Sequence, residues 1–167
     1  MTVDSGFWVL QTLNALQLSM LLFLLSLGLT VIFGLMHFVN LAHGALYTFG
    51  AYIAASVANK FGFWVAIFAA PVGVAIIGVV LYFLFVQRMR KSGPTAQVLV
   101  TFGLIFVLLD LTRIIWGDLA LAMATPAVLS GQIGIFGVTY PVYRLFIIAI
   151  GLLSFVMLAL VLRFVQV

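Results

Sequence analysis

Two histidines lie close together in the sequence, and histidines so placed could ligate a metal or haem. His37 and His43 are six residues apart, whereas two metal ligands on one helical face are four apart. The chain has no cysteine and only three acidic residues, none of them near the histidines. The alternative is that each histidine bonds a freed backbone carbonyl or lies at a membrane interface. The sequence favours this structural role and predicts no metal and no cofactor.

Asn40 lies between the two histidines and has two compatible interpretations. Its side chain could cap a helix that begins near Leu41, because asparagine accepts an orphan backbone N–H at such positions. It could also face a polar path between helices. Asn40, His43 and Gly44 are therefore the candidate residues for a helix break or a translocation path.

Asp110 and Arg113 are the second candidate group, and their spacing of three places them on one face of a helix. Charged groups inside a bilayer are costly and are usually paired or functional. Arg113 is close enough to the end of the apolar stretch, near Trp116, to extend its guanidinium toward water. We expect a structural charge pair here rather than a proton or ion relay.

Catalytic chemistry has little support in the sequence. No pair of acids, no Ser/His/Asp arrangement and no glycine-rich phosphate loop is present. General acid–base catalysis needs titratable groups positioned around a substrate. We therefore predict that the protein is not an enzyme and has no catalytic residues.

Composition indicates the environment of these residues. Charged residues make up 6% and apolar residues 66% of the chain, against about 25% and about 45–50% in soluble domains. The mean hydropathy is +1.40, which also excludes a disordered chain. The net charge of +4 then reports membrane orientation rather than nucleic-acid binding. The sequence predicts an integral membrane protein.

Helices must cross the bilayer several times to place the candidate residues. Residues 5–59 contain no Lys, Arg, Asp or Glu, and one helix of that length would reach about 80 Å, against a hydrocarbon core of about 30 Å. We expect a broken or re-entrant segment near 34–44, where Gly, His and Asn cluster. The predicted fold is all-α with about five transmembrane helices. The later passes are expected at residues 61–87, 97–116 and 142–163.

Residues 117–141 are predicted to form a structured extracytoplasmic loop, because several Gly and Pro residues interrupt this stretch. Residues 132–135 and 138–140 could pair as a short hairpin around Phe136-Gly137.

Orientation follows from the basic residues, which concentrate on the cytoplasmic side of membrane proteins. Four of them fall on one side in a five-pass topology: Arg88, Arg90, Lys91 and Arg163. Lys60 and Arg144 fall on the other side. We expect the N-terminus outside and the C-terminus in the cytoplasm.

Small residues recur at a spacing of four in the second and third passes. Such spacing lets helix backbones approach closely in lipid, so we expect a tight contact between these two passes. The pairs are Ala51/Ala55, Ala54/Ala58, Ala66/Ala70 and Ala69/Gly73.

The sequence around Asn40 resembles the N-terminal signature of the branched-chain amino acid ABC-transporter permeases, specifically the LivH-like members. The matching stretches are Leu27 to Met36, Asn-Leu-Ala-His-Gly at 40–44 and Gly-Ala-Tyr at 50–52. Three later stretches also resemble the family, in order: the basic turn at 87–94, the helix from Val100 to Gly117, and the loop from Gly134 to Leu145.

This resemblance implies a permease component of an ABC importer for branched-chain or hydrophobic amino acids in the bacterial plasma (inner) membrane. The implied partners are the lipid bilayer, a second permease subunit, an ATP-binding subunit and an extracytoplasmic binding protein, with no nucleic acid. Asn40, His43 and Gly44 would line or shape the path.

Family members continue past this point with an ATPase-coupling segment and a C-terminal half. Residues 1–167 are therefore expected to be a single transmembrane domain that resembles the N-terminal part of such a permease. Three accounts stay open. The chain is a fragment of a longer or split permease, or it pairs with a second polypeptide that completes the bundle. Otherwise it is a truncated, permease-derived accessory subunit of another membrane complex, without transport activity.

Overall fold

The computed structural model describes residues 5–89 and 91–165 and is mostly helical. The elements in chain order are α1 (Ser5–Met36), α2 (His43–Phe61), α3 (Phe63–Leu81), a π-helical segment (Tyr82–Val86), α4 (Gln87–Met89), α5 (Pro94–Trp116), a 3₁₀ turn (Ala127–Leu129), β1 (Gln132–Ile135), β2 (Val138–Pro141) and α6 (Val142–Val165). Each predicted pass corresponds to one long helix or continuous helical stretch.

Four stretches are long and apolar enough to cross a membrane: Ser5–Gly34, Phe63–Met89, Pro94–Trp116 and Val142–Val161. The predicted all-α membrane fold is confirmed at this level, and the protein is an integral membrane protein. Helix α2 has 19 residues and is not among the four, because its sequence carries His, Thr, Ser, Asn and Lys.

The break between α1 and α2 is narrower than the predicted 34–44. Helix α1 continues through Gly34 to Met36, and α2 begins at His43. Residues 37–42, which we call the broken segment, lie outside both helices. The chain turns at His37, whose φ of 51° is in the left-handed region that non-glycine residues rarely adopt.

The chain folds into two compact groups. The central group is Gly28–Ala124, and the terminal group combines the described residues up to Leu27 with those from Thr125. The core of the central group joins α2 and its N-terminal flank to α5. Its buried members are Ala42, Ala45, Phe49, Leu104 and Leu108.

In the terminal group, the predicted hairpin is confirmed. Ile135 pairs with Val138, which leaves a two-residue turn of Phe136 and Gly137 with φ values of 48° and 82°. Positive φ at both central residues is the turn geometry that matches the twist of the flanking strands.

Tyr140 anchors this hairpin to α1 and is 1% exposed. Its hydroxyl donates to Asn14 Oδ1 at 3.4 Å, and Arg144 Nη1 donates to the same oxygen at 2.7 Å. Further along, α1 and α6 approach each other closely at one position, since a Cβ at Gly151 would lie 2.7 Å from Met20 Cβ.

The predicted tight contact between α2 and α3 is present. Gly50 lies directly against Val74, and a Cβ added to Gly50 would be 2.8 Å from Val74 Cγ2. Ala55 and Ala66 are buried in the same group. Small side chains thus let the two helices approach closely.

We expect Gly50→Val to destabilise the purified protein by about 1–3 kcal/mol, because the added methyl groups overpack this contact. Thermal unfolding in detergent measures the change. Gly78→Val is the matched control on α3, since a Cβ there meets nothing within 4 Å. Equal effects of the two substitutions would contradict a close α2–α3 contact at Gly50.

Candidate functional site

The broken segment is held by polar side chains from the first two turns of α5. The Val39 N–H donates to Gln97 Oε1 at 3.2 Å, and the Leu41 N–H donates to Thr101 Oγ1 at 3.3 Å. Irregular backbone is tolerated within a membrane protein only where its polar groups find such partners. Gln97 and Thr101 therefore replace the backbone bonds that an uninterrupted helix would supply.

Thr101 is completely buried, with 0% exposure. Its hydroxyl has one hydrogen to donate, and the shortest available acceptor is the Gln97 carbonyl at 2.9 Å. The same oxygen lies 3.4 Å from the Val39 carbonyl. The hydroxyl is thus packed between its own helix and the broken segment.

Gln97 is 5% exposed and uses both ends of its amide. Besides accepting from Val39, it donates from Nε2 to the Ser92 carbonyl at 3.1 Å. Neither Gln97 nor Thr101 was identified as a functional residue from the sequence. Their only signal there is two polar side chains four residues apart at the start of an apolar helix.

Asn40 shapes the turn that leads into α2. Its Oδ1 accepts from the Ala42 N–H at 3.1 Å, which is the local bond that asparagine makes in an Asx turn. The N-cap position belongs to Ala42, which has no side-chain capping bond. The interpretation of Asn40 as an N-cap is therefore wrong, because the helix begins at His43 rather than near Leu41.

His43 is the first residue of α2 and lies against α1. A Cβ at Gly28 would be 2.6 Å from His43 Cε1 and 2.9 Å from Nε2, so the ring occupies space that only glycine leaves open. Gly44 is exposed and a Cβ there meets nothing within 4 Å.

An open groove of about 500 Å³ lies beside His43 within the central group. Its walls come from α1, α2 and α3 and are almost entirely apolar. Small residues on α2 and α3 give it width. The lining includes Ile32, His43, Tyr47, Ala51, Ala70 and Pro71.

Helices α2 and α5 also meet at their other ends. Trp116 Nε1 donates to Ser56 Oγ at 2.6 Å, and its ring contacts Phe49 and Tyr52 at centroid distances of 5.1 and 5.4 Å. Ser56 and Trp116 are 60 residues apart, as are Leu41 and Thr101. The constant offset means that α2 and α5 run parallel over this length.

Ser56→Ala is expected to cost about 0.5–1.5 kcal/mol of stability, the net value of one hydrogen bond. A double-mutant cycle with Trp116→Phe, which removes the indole N–H and keeps an aromatic ring, measures the coupling between the two side chains by detergent unfolding. Additive effects would mean that the bond contributes nothing.

The predicted charge pair lies near the end of α5. Arg113 Nη1 is 3.8 Å from Asp110 Oδ1, and Arg113 Nε is 3.8 Å from Asp118 Oδ1. The Asp110 and Arg113 side chains are each 68% exposed in the chain. The arginine thus lies between two carboxylates, of which the sequence identified one as its partner.

The basic turn (residues 87–94, of which residue 90 lies outside the described part) follows the π-helical segment. Arg88 Nη1 donates to the Leu84 carbonyl at 2.8 Å, inside that segment. Short π-helical stretches are frequent at functional sites. Among the described residues, no group of three or more His, Cys, Asp and Glu is arranged to hold a metal.

Of the comparisons with known proteins, the one with family models found a match. The family model described as the permease component of the branched-chain amino acid transport system matches residues 11–167. No curated protein and no solved structure matched the chain.

Proposed function

Since the chain belongs to the branched-chain amino acid transport permease family, we propose that it is the membrane-spanning permease component of an ABC importer for branched-chain or related hydrophobic amino acids. The observation that carries this proposal is the family match over residues 11–167. Four helices able to cross a membrane are consistent with that role. We further propose that the chain acts as one transmembrane domain and not as an enzyme.

The parallel packing of α2 and α5 supports a five-pass topology. Helix α5 is one of the four apolar helices. The end of the broken segment and α2 together follow it from the Leu41–Thr101 bond to the Trp116–Ser56 bond. At roughly 1.5 Å per residue this shared length is about 22 Å, most of the hydrocarbon core. This shared length supports our proposal that α2 crosses the bilayer beside α5.

The five-pass topology assigns each loop to one side of the membrane. With α2 as a crossing, the broken segment and the basic turn lie on one side, and the loop at 117–141 lies on the other. The basic residues favour the cytoplasm for the first side. We propose that the N-terminus is outside, the C-terminus is cytoplasmic and the host membrane is the bacterial inner membrane.

Asn40, His43 and Gly44 are proposed to shape the path at the start of α2. His43 has the strongest support, because it lines the apolar groove beside Tyr47 and Ala51. An apolar groove with few polar groups suits an aliphatic amino-acid side chain. Asn40 contributes by fixing the turn before α2.

We propose a structural role for Asp110 and Arg113, which form an exposed ion pair at the end of α5.

Import requires partners, since the chain carries no glycine-rich phosphate loop of its own. We propose an ATP-binding subunit, a second permease subunit and an extracytoplasmic binding protein.

Co-purification followed by uptake tests the function. The tagged chain is isolated from native membranes, reconstituted in liposomes with the proteins that accompany it, and supplied with leucine and ATP. We expect an ATP-binding subunit in the preparation and ATP-dependent leucine uptake. Recovery of an unrelated membrane complex without an ATPase would contradict import and favour an accessory subunit.

A further inference from the structure

We propose that Gln97 is a positioning residue that joins the basic turn to the broken segment, so that displacement of the turn moves the segment. The proposal concerns one side chain with two partners that belong to different loops. It rests on the proposed import function for its biological purpose, and on hydrogen-bond geometry for the link itself.

The Gln97 amide is a rigid planar group that contacts both loops at once. Its oxygen accepts from the Val39 N–H at 3.2 Å, and its nitrogen donates to the Ser92 carbonyl at 3.1 Å. The side chain is almost fully buried, so water does not readily replace either partner. A shift of Ser92 must therefore carry the amide along or break a buried bond, which is costly.

Ser92, the partner of Gln97 in the basic turn, is itself bonded to the preceding helix α4. The Ser92 N–H donates to the Met89 carbonyl at 2.9 Å, and Met89 ends α4, directly after the π-helical segment. A movement at the end of α4 thus reaches Ser92 through this hydrogen bond. Gln97 then transmits this movement to Val39 through its two hydrogen bonds.

Thr101 differs from Gln97 in what it connects. Its hydroxyl bonds the broken segment and the backbone of its own helix, one turn away from the basic turn. Thr101 therefore holds the segment on α5, whereas Gln97 ties the segment to the turn. The segment in turn leads into His43 and the groove, so the link ends where we propose the path begins.

Thiol labelling tests the link without any transport assay, because the chain has no native cysteine. Leu41→Cys places a thiol on the broken segment at a position that is 42% exposed. We expect Gln97→Met, which keeps the side-chain length and removes both bonds, to raise its labelling rate by a membrane-impermeant maleimide about tenfold. The two lost bonds together make opening of the segment easier by about 1.4 kcal/mol, which corresponds to a factor of ten. Leu99→Ala, on an exposed face of the same helix, is the control. Equal rates in all three proteins would overturn the proposal.

Coupling is tested in the complete complex reconstituted with leucine and ATP. We expect Gln97→Met to retain assembly and ATP hydrolysis while leucine transported per ATP falls at least fivefold. Gln97→Asn, whose shorter side chain still carries an amide, should restore part of that ratio. A parallel loss of hydrolysis and uptake, with the ratio unchanged, would overturn the positioning role. If the unmodified complex imports no leucine, the proposed function is wrong. The labelling experiment still tests whether Gln97 joins the basic turn to the broken segment, because it does not depend on transport.

Discussion

Replacing Thr101 by valine is expected to destabilise the protein by about 1–3 kcal/mol, the cost of leaving the Leu41 N–H without its partner. Valine has nearly the same shape, so packing is retained while the acceptor for the Leu41 N–H is lost. The position is fully buried, so water cannot take the place of the hydroxyl. Unfolding of the purified protein in detergent measures the change.

Thr112→Val is the matched control for that substitution. Thr112 is also buried and lies on the same helix, but its hydroxyl donates to the Leu108 carbonyl of its own turn. The Leu108 carbonyl also accepts a helical backbone bond. Losing the Thr112 hydroxyl therefore leaves no backbone group without a partner and costs little stability. Thr101→Ser should destabilise less than Thr101→Val, because it keeps the hydroxyl and loses one buried methyl group worth about 0.8 kcal/mol. Equal destabilisation by the two valine substitutions would mean that the broken segment does not depend on α5.

Gly28→Val is expected to reduce leucine uptake about fivefold or more. The overpacked contact raises the free energy of the groove's present conformation by about 1–3 kcal/mol, and 1 kcal/mol corresponds to about a factor of five. A Cβ at this position would lie 2.6 Å from His43 Cε1. The imidazole must then leave its place against α1 and change the wall of the groove. The initial rate of uptake by the reconstituted complex is the measurement.

Two further variants identify the cause of that loss. Gly34→Val changes the same helix where a Cβ meets nothing within 4 Å, and it should transport at nearly the unmodified rate. His43→Ala should lose uptake to a similar extent as Gly28→Val. Normal uptake by either Gly28→Val or His43→Ala would show that the position of the imidazole does not affect the path.

The helical passes and the hairpin could be predicted because each depends on local sequence. Long uncharged stretches have to be helical in lipid, and the Phe136-Gly137 turn carries its own conformational signal. The start of α2 was misplaced by about two residues. The Asn40 side chain can accept a backbone N–H either in an Asx turn or as an N-cap, and the local sequence allows both. The choice depends on tertiary contacts such as the bond of Leu41 to Thr101 on α5.

The support of the broken segment could not be predicted, because it depends on which helix lies beside it. Gln97 and Thr101 are polar residues in an apolar helix, and from the sequence alone each could bond its own turn. Their partners Val39 and Leu41 contribute only backbone N–H groups. Nearly every residue has such a group, so the residue types at these positions do not indicate the bonds. The constant offset of 60 residues between α2 and α5 is likewise a property of tertiary packing.

The side of the membrane on which Ser5 and Gly131 lie decides whether α2 crosses the bilayer. Single cysteines at these positions are labelled with an impermeant reagent in right-side-out and inverted vesicles, with Ser92→Cys as the reference for the opposite side. If α2 crosses beside α5, four crossings separate the two positions and both label from the same side, opposite to Ser92. Labelling of Ser5 and Gly131 from opposite sides would mean that α2 does not cross, and the five-pass topology would be wrong.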